Sequence, residues 1–303
     1  MAVLGPTASG KTGLAICLAR HWGAEILSVD SMQVYRGMDI GTAKVSIDEQ
    51  AEIPHHMIDL VAPEVDYTVA EFQEAGRLAM GDVLSRNVPL IVAGGSGLYF
   101  RSLVDPLEFP PFDPGVRAVV ESMGQEAARA ELLAADPSAG AYVELGNLRR
   151  VRRAVEILRL GGGGPSERAN RPAAVHVRNY VPEVAFAAVG VDPGDRLADR
   201  VMERIDRMID SGLLDEVAGL SHRLGRNASR AVGYRQMIPV VRGDVSLEQG
   251  KADTFKATMA LARRQRTYFG RDPRIRWLEW SEDPEVRCRA ARQAIEEMQP
   301  WSS

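Results

Sequence analysis

Ala2-Val3-Leu4-Gly5-Pro6-Thr7-Ala8-Ser9-Gly10-Lys11-Thr12 is the stretch whose reading decides the fold. Three apolar residues run into the pattern GxxxxGK(S/T), and from residue 11 to 22 Leu14, Cys17, Leu18 and His21 recur at helical spacing. The reading is strand, glycine loop, helix. In that setting the pattern has a physical meaning. Glycines let backbone N–H groups converge on phosphate oxygens, and the helix dipole adds positive potential. Lys11 supplies a point charge, and the Thr12 hydroxyl is a ligand for Mg²⁺. Gly5, Thr7, Ala8, Ser9, Gly10, Lys11 and Thr12 are therefore expected to hold a diphosphate group. The loop does not choose among ATP, GTP and a prenyl diphosphate, because all three present the same group.

Outward from the loop, short apolar runs alternate with helical stretches. Residues 26–29 end at Asp30-Ser31, residues 89–93 end at Gly94-Gly95, and residues 184–191 form another buried run. Helices are expected over 69–85, 197–211, 213–224 and, as the last one, 252–269. The alternation predicts an α/β fold, a P-loop NTPase-like parallel sheet flanked by helices, with ligands at the carboxyl ends of the strands. Asp30 and Ser96 fall there. From residue 112 the character becomes helical with scattered Pro and Gly, up to Gly161-Gly162-Gly163-Gly164-Pro165, which reads as a mobile loop. Residues 113–178 are thus expected to be a helical insertion in a core of residues 1–112 and 179–303. A phosphotransferase normally carries a metal-holding Asp at a strand end. The run 89–93 ends in glycines and leaves only Asp30 for that duty, which weakens a small-metabolite kinase without removing it.

Composition narrows the class. With 45% hydrophobic and 26% charged residues the chain is an ordinary globular protein rather than a disordered one. No window approaches the roughly 18 apolar residues of a membrane span. The glycine loop begins too early to leave room for a signal peptide, so a cytoplasmic location is expected, and with it a monomer. Cys17 and Cys288, far apart and outside any CxxC pattern, are expected to be packing residues and not a disulfide. The five histidines form no metal constellation and are read as structural. The net charge of −4 hides a segregation. Residues 147–180 and 251–276 each stand at +6, so the rest of the chain stands at −16. Two basic zones of that kind are able to meet phosphates, as in an NTPase switch that binds RNA. On a helix over 148–160, Val151, Val155 and Leu158 share the buried face, which turns Arg149, Arg152 and Arg153 outward. Lys256, Arg263 and Arg264 share a face of the helix over 252–269.

At this point the residues resemble the tRNA dimethylallyltransferases, also called tRNA isopentenyltransferases. The blocks that carry the resemblance are GPTASGKT (5–12), SVDSMQVYRGMDIGTAK (28–44), PHHMID (54–59), YTVAEF (67–72), GGSGLY (94–99), NLRRVRRAVEI (147–157), GLLDEV (212–217) and RAVGYRQM (230–237). The second is the most specific, because no generic structural demand would assemble it. The resemblance implies Mg²⁺-assisted transfer of a dimethylallyl group from dimethylallyl diphosphate to the exocyclic amine of the adenosine 3′ of the anticodon in tRNA. It casts Asp30 as general base, Ser96 as a hydroxyl contacting the adenine where the family usually has Thr, and Arg204 as an arginine on the diphosphate. Ser31, Met32 and Gln33 are placed to line the base pocket, and Arg149, Arg150, Arg152, Arg153, Arg230, Tyr234 and Arg235 to meet tRNA. The target base must leave its stack to be reached. Two features depart from the family: a first strand of only about three residues, and the glycines at 161–164 in place of a more polar run.

Overall fold

A computed structural model describes residues 1–298. Six parallel strands, β1 (Ala2–Leu4), β2 (Glu25–Ser28), β3 (His55–His56), β4 (Leu90–Gly94), β5 (Ala188–Gly190) and β6 (Ile275–Trp277), form one sheet in the order β3-β2-β4-β1-β5-β6. The helices in chain order are α1 (Lys11–Trp22), α2 (Ile47–Glu52), α3 (Val69–Ser85), α4 (Gly97–Val104), α5 (Pro114–Glu121), α6 (Gln125–Ala135) and α7 (Leu148–Arg159). They continue with α8 (Pro165–Ala169), α9 (Pro172–Arg178), α10 (Leu197–Asp210), α11 (Leu213–Leu220), α12 (Tyr234–Val241), α13 (Leu247–Phe269) and α14 (Pro284–Met298). Among the described residues no helix is long and apolar enough to cross a membrane.

The three residues of β1 suffice because the strand lies at the centre of the sheet, in register with β4 on one side and β5 on the other, with Ala2, Val3 and Leu4 buried. A parallel strand covered on both faces is held by burial and by two ladders, and needs little length. The order β2-β4-β1 places three carboxyl ends side by side: Asp30 beyond β2, Ser96 beyond β4 and the glycine loop beyond β1.

The chain divides into two compact units, residues 1–104 with 185 onward, and residues 105–184. The second begins earlier and ends later than the expected 113–178, because the Pro-rich run 105–112 and the turn at 179–184 carry no periodicity to assign them. Within this unit Val120 of α5, Ala128 and Leu132 of α6, and Val151, Ala154 and Val155 of α7 form a separate core, while Leu158 is only half-buried. The glycines after α7 are not a featureless loop. Gly161 at φ 73 takes the left-handed position, its N–H donates to Leu158, and Gly162 N–H donates to Ile157 at 2.9 Å, the two bonds that close a helix with a Schellman turn.

Two expectations fail in the first unit. The buried face of α1 is Leu14, Ala15, Leu18 and Ala19, and His21 is exposed. Cys17 is bonded to Cys288, 271 residues away, and is no plain packing residue. The cause is α14, unanticipated because its buried face, Cys288, Ala291, Ala294 and Ile295, is mostly small residues among charges. That face packs on α1 in the main core, which brings the two Cα atoms to 6.3 Å, within bridging distance.

Candidate active site

The loop between β1 and α1 is built for close approach. A Cβ on Gly5 would lie 2.2 Å from the Val191 carbonyl oxygen, and Gly10 takes φ 83, so both positions demand glycine. Gly10 caps α1 with no side-chain hydrogen bond and the first turn carries no acid, which leaves its N–H groups and dipole for an anion. Lys11 Nζ donates to the Pro6 carbonyl and, at 3.5 Å, to Ser9 Oγ, in a side chain that is itself buried. The Thr7 N–H, expected to face a phosphate, instead donates to Gln265 Oε1 at 2.8 Å.

Opposite the loop, α10 presents Arg200, Arg204 and Arg207 at spacing i, i+4, i+7, while Leu197, Val201 and Ile205 on the adjoining stripe are buried. The three arginines, Ala8 to Thr12, and the apolar side chains of Ile40, Ala43, Val45 and Met208 line a cavity of about 730 Å³. Cations and hydrocarbon thus share one chamber. Burial, reinforced by the Arg204 guanidinium, lowers the Lys11 pKa to about 7 against the opposing pull of Asp30 and Asp192. Burial also lowers the Arg204 pKa, with the Asp30 carboxylate acting against it. Asp30 is thus a carboxylate whose charge bears on Arg204. Arg200 Nε donates to the Ala8 carbonyl at 2.9 Å, and its guanidinium stacks on Trp280, whose ring also meets that of Arg287.

Arg204 also lines two smaller cavities, of about 80 Å³ and 120 Å³. The first is walled by Thr7, Lys11, Thr12, Asp30, Gln33 and His55 among others. The second is walled by Asp30, Ser31, Met32, Ser96, the 231–233 backbone and Gln265. Asp30 Oδ1 accepts the Met32 N–H at 2.8 Å, which aims the carboxylate, and Ser96 Oγ accepts the Ser31 N–H at 3.3 Å. Asp30, Ser31, Met32 and Ser96 are thus brought together as expected, on adjacent strand ends. Gln33 turns to structural work, accepting from Ser28 and donating to the carbonyls of Thr42 and Ala43.

The basic positions divide. Arg149, Arg150, Arg230 and Arg235 are exposed, as are Lys256, Arg263 and Arg264, although Arg150 pairs with Glu144 at 2.9 Å. Arg152 and Arg153 do not simply project outward. Arg152 donates twice to the Met123 carbonyl, and Arg153 pairs with the buried Glu156 and donates to the Pro110 carbonyl at 3.1 Å. Tyr234, expected as a stacking platform, is fully buried under Gly41 with its hydroxyl donating to Glu216.

Sequence reading missed four residues. Arg200 and Arg207 were legible, since the i, i+4, i+7 spacing with Arg204 is plain in the chain. Gln265 and Glu216 were not. Glu216 accepts the N–H groups of Asp39, Ile40 and Gly41 as well as the Tyr234 hydroxyl, and so holds one wall of the large cavity.

Beside His55, the cavity walls offer hydroxyl and carboxylate oxygens, Thr7, Thr12 and Asp30 among them, a donor set that suits a hard cation. Among the described residues no group of three His, Cys, Asp or Glu is placed to hold a metal. A Mg²⁺ ion takes few protein ligands and keeps phosphate oxygens and waters, so the Thr12 hydroxyl beside Lys11 fits it.

Comparison with known proteins agrees with the geometry. A tRNA dimethylallyltransferase of Streptomyces coelicolor is 41% identical over 286 residues, covering 92% of this chain and 89% of that protein. Two crystal structures superpose over nearly the whole chain. A tRNA delta(2)-isopentenylpyrophosphate transferase of Staphylococcus epidermidis gives a TM-score of 0.70 at 29% identity, covering 98% of both chains. A tRNA isopentenylpyrophosphate transferase of Bacillus halodurans gives 0.67 at 31% identity, covering 98% of this chain and 96% of that one. Residues 33–272 match the IPP transferase family, a stretch that starts after the glycine loop and so leaves the loop as separate support. The chain belongs to the IPP transferase family.

Proposed function

We propose that this protein transfers a dimethylallyl group from dimethylallyl diphosphate to the exocyclic amine of the adenosine 3′-adjacent to the anticodon of a tRNA, releasing diphosphate. The observation that carries the reading is the shared wall. Arg204 belongs at once to the chamber of Lys11 and the phosphate loop and to the chamber of Asp30 and Ser96. A leaving diphosphate and an acceptor base thereby meet across one side chain.

The donor's diphosphate lies against the loop N–H groups, Lys11 and Arg204, and its hydrocarbon against Ile40, Ala43, Val45 and Met208. As the allylic C–O bond breaks, negative charge grows on the leaving oxygen, where preorganised cations stabilise it more than they do in water. Mg²⁺, when bound at Thr12 and the phosphates, adds charge neutralisation there. The adenine amine is a weak nucleophile because its lone pair is delocalised into the ring. Asp30 accepts its proton as the N–C bond forms, and Ser96 fixes the base edge. The flipped base occupies the smaller chamber beside Met32. Exposed arginines of α7 and of residues 230–235 meet the tRNA backbone, and the enzyme works as a cytoplasmic monomer.

The test is label transfer. Labelled dimethylallyl diphosphate should put label into an unmodified tRNA, and labelled ATP or GTP should not. ATP turnover independent of tRNA would overturn the reading in favour of a kinase. Asp30→Ala should lower the rate by about 10²–10⁴-fold with tRNA affinity retained, because the carboxylate acts on the amine and not on phosphates. Affinity falling in step with rate would remove Asp30 from the base role.

A further inference from the structure

Gln265 has no part in the reaction just described, yet it touches both halves of the site. It sits on α13, and its Oε1 accepts the Thr7 N–H of the phosphate loop at 2.8 Å. Its Nε2 donates to the carbonyl of Gly95 at 3.0 Å, the residue before Ser96. The amide orientation is fixed by chemistry, since a backbone N–H requires an acceptor and a carbonyl requires a donor. The fit is close. A Cβ on Gly95 would lie 2.5 Å from Nε2, so glycine at 95 admits this side chain. Gln265 also lines both of the cavities that contain Asp30.

Few side chains meet this demand. A carboxylate of the same size would keep the bond to Thr7 but set an oxygen against the Gly95 carbonyl, and would add negative charge beside a diphosphate. Leucine would fill most of the space and make neither bond. Asparagine is one methylene short of spanning both.

We propose that Gln265 is a positioning residue for the transfer, a neutral strut that sets the spacing between the phosphate loop and the turn carrying Ser96. It rests on the function proposed above. In that reaction the C–O bond to diphosphate breaks, the N–C bond forms and the amine proton passes to Asp30. The allylic carbon and the amine must meet at about 3–3.5 Å, and a displacement of about 1 Å costs about 10²-fold in rate. Donor and acceptor are held by different strand ends, and Gln265 ties those ends together.

The experiment compares full-length wild type with Gln265→Leu, Gln265→Glu and Gln265→Asn. Single-turnover transfer at saturating donor and tRNA is measured together with tRNA affinity, and with KM for dimethylallyl diphosphate. Gln265→Leu should lower the single-turnover rate by about 10–100-fold with tRNA affinity unchanged. Gln265→Glu should fall further than Leu, despite its matching size, and should also raise KM for the donor. A residue that only packs would give the opposite order, with Glu nearest to wild type. The three variants differ in shape, so a folding defect in one, read from its thermal midpoint, leaves the other two to decide. Wild-type rate and KM in Gln265→Leu would overturn the inference while leaving the proposed function intact. Absence of transfer by the wild type would overturn both.

Discussion

Two helices of this protein carry several arginines beside a buried apolar stripe, and they use them differently. On α10 the buried residues are Leu197, Val201 and Ile205, and Arg200, Arg204 and Arg207 line the large cavity. On α7 the buried residues include Val151, Ala154, Val155 and Ile157, and four of its five arginines, Arg150, Arg152, Arg153 and Arg159, are engaged within their own unit, Arg150 with Glu144 and Arg159 with Glu131. Arg152 is bound to the Met123 carbonyl just beyond α5, and Arg153 to Glu156 and Pro110. The difference lies in the acceptors within reach. Near α7 the turn after α5 and the proline-rich segment 105–112 offer the Met123 and Pro110 carbonyls, and guanidinium groups donate to them. Near α10 the phosphate loop offers one such carbonyl, Ala8, which Arg200 takes, and Arg204 is left facing the cavity. Periodicity places an arginine on a face, but the acceptors opposite decide whether it is a fastener or a binding group.

The sharpest way to break this contrast is to remove Arg204. Arg204→Ala should lower kcat/KM for dimethylallyl diphosphate by about 10²–10³-fold, the scale of one preorganised charge at a developing anion, with tRNA affinity unchanged. Arg204→Lys should recover only part, since the planar fork is lost. If Arg204→Ala instead destabilised the fold and left the kinetics of the surviving enzyme alone, α10 would be no different from α7.

What the sequence could and could not reveal follows the range of the contacts. The span Lys11–Trp22 was legible from the loop pattern before it, and Val69–Ser85 has its own local signals in the Thr68 and Glu71 capping box. The edge strands β3 and β6 were not, because two and three residues leave no period to detect. Lys11, Asp30 and Ser96 were legible because each follows an apolar run, where an α/β sheet presents its ligands. Gln265 and Glu216 act on partners 258 and 175 residues away, and Cys17 on one at 271, distances over which spacing carries no information. Tyr234 was misread for the same reason. Its neighbour Gly41 leaves the space the ring fills, which no local pattern announces.

A smaller effect sharpens the account of α10 through pH. Lys11 has a pKa of about 7 in the free protein, lowered by burial and by Arg204 from an ordinary 10.5. Between those values the unfolded chain binds the proton and the native one does not, so this group favours the native state increasingly as pH rises above about 7. A bound diphosphate reverses the preference and draws a proton onto Lys11. Pyrophosphate affinity, measured with Mg²⁺ by calorimetry, should therefore fall by up to about tenfold per pH unit above pH 7 and show proton uptake. In Arg204→Ala the fall should begin at higher pH, since a cation that depresses Lys11 is gone. A flat profile in both proteins would mean that Lys11 is charged throughout.

The smallest effects lie on α7 and separate its two kinds of arginine. Arg152→Ala leaves the Met123 carbonyl without its guanidinium, and should cost about 1–3 kcal/mol of stability in a denaturant titration. Its effect on the salt dependence of tRNA binding should be negligible, because that side chain is already engaged. Arg149→Ala should do the reverse. Arg149 is exposed, so stability should hold within about 0.5 kcal/mol, while the slope of log affinity against log salt becomes shallower by about one. The two substitutions remove the same charge from one helix, three residues apart, so any difference between them reports the partner and not the charge. Should Arg152→Ala flatten the salt slope as much as Arg149→Ala, its bonds to Met123 would have to open when tRNA binds, and the distinction between fastener and binding group would not hold on α7.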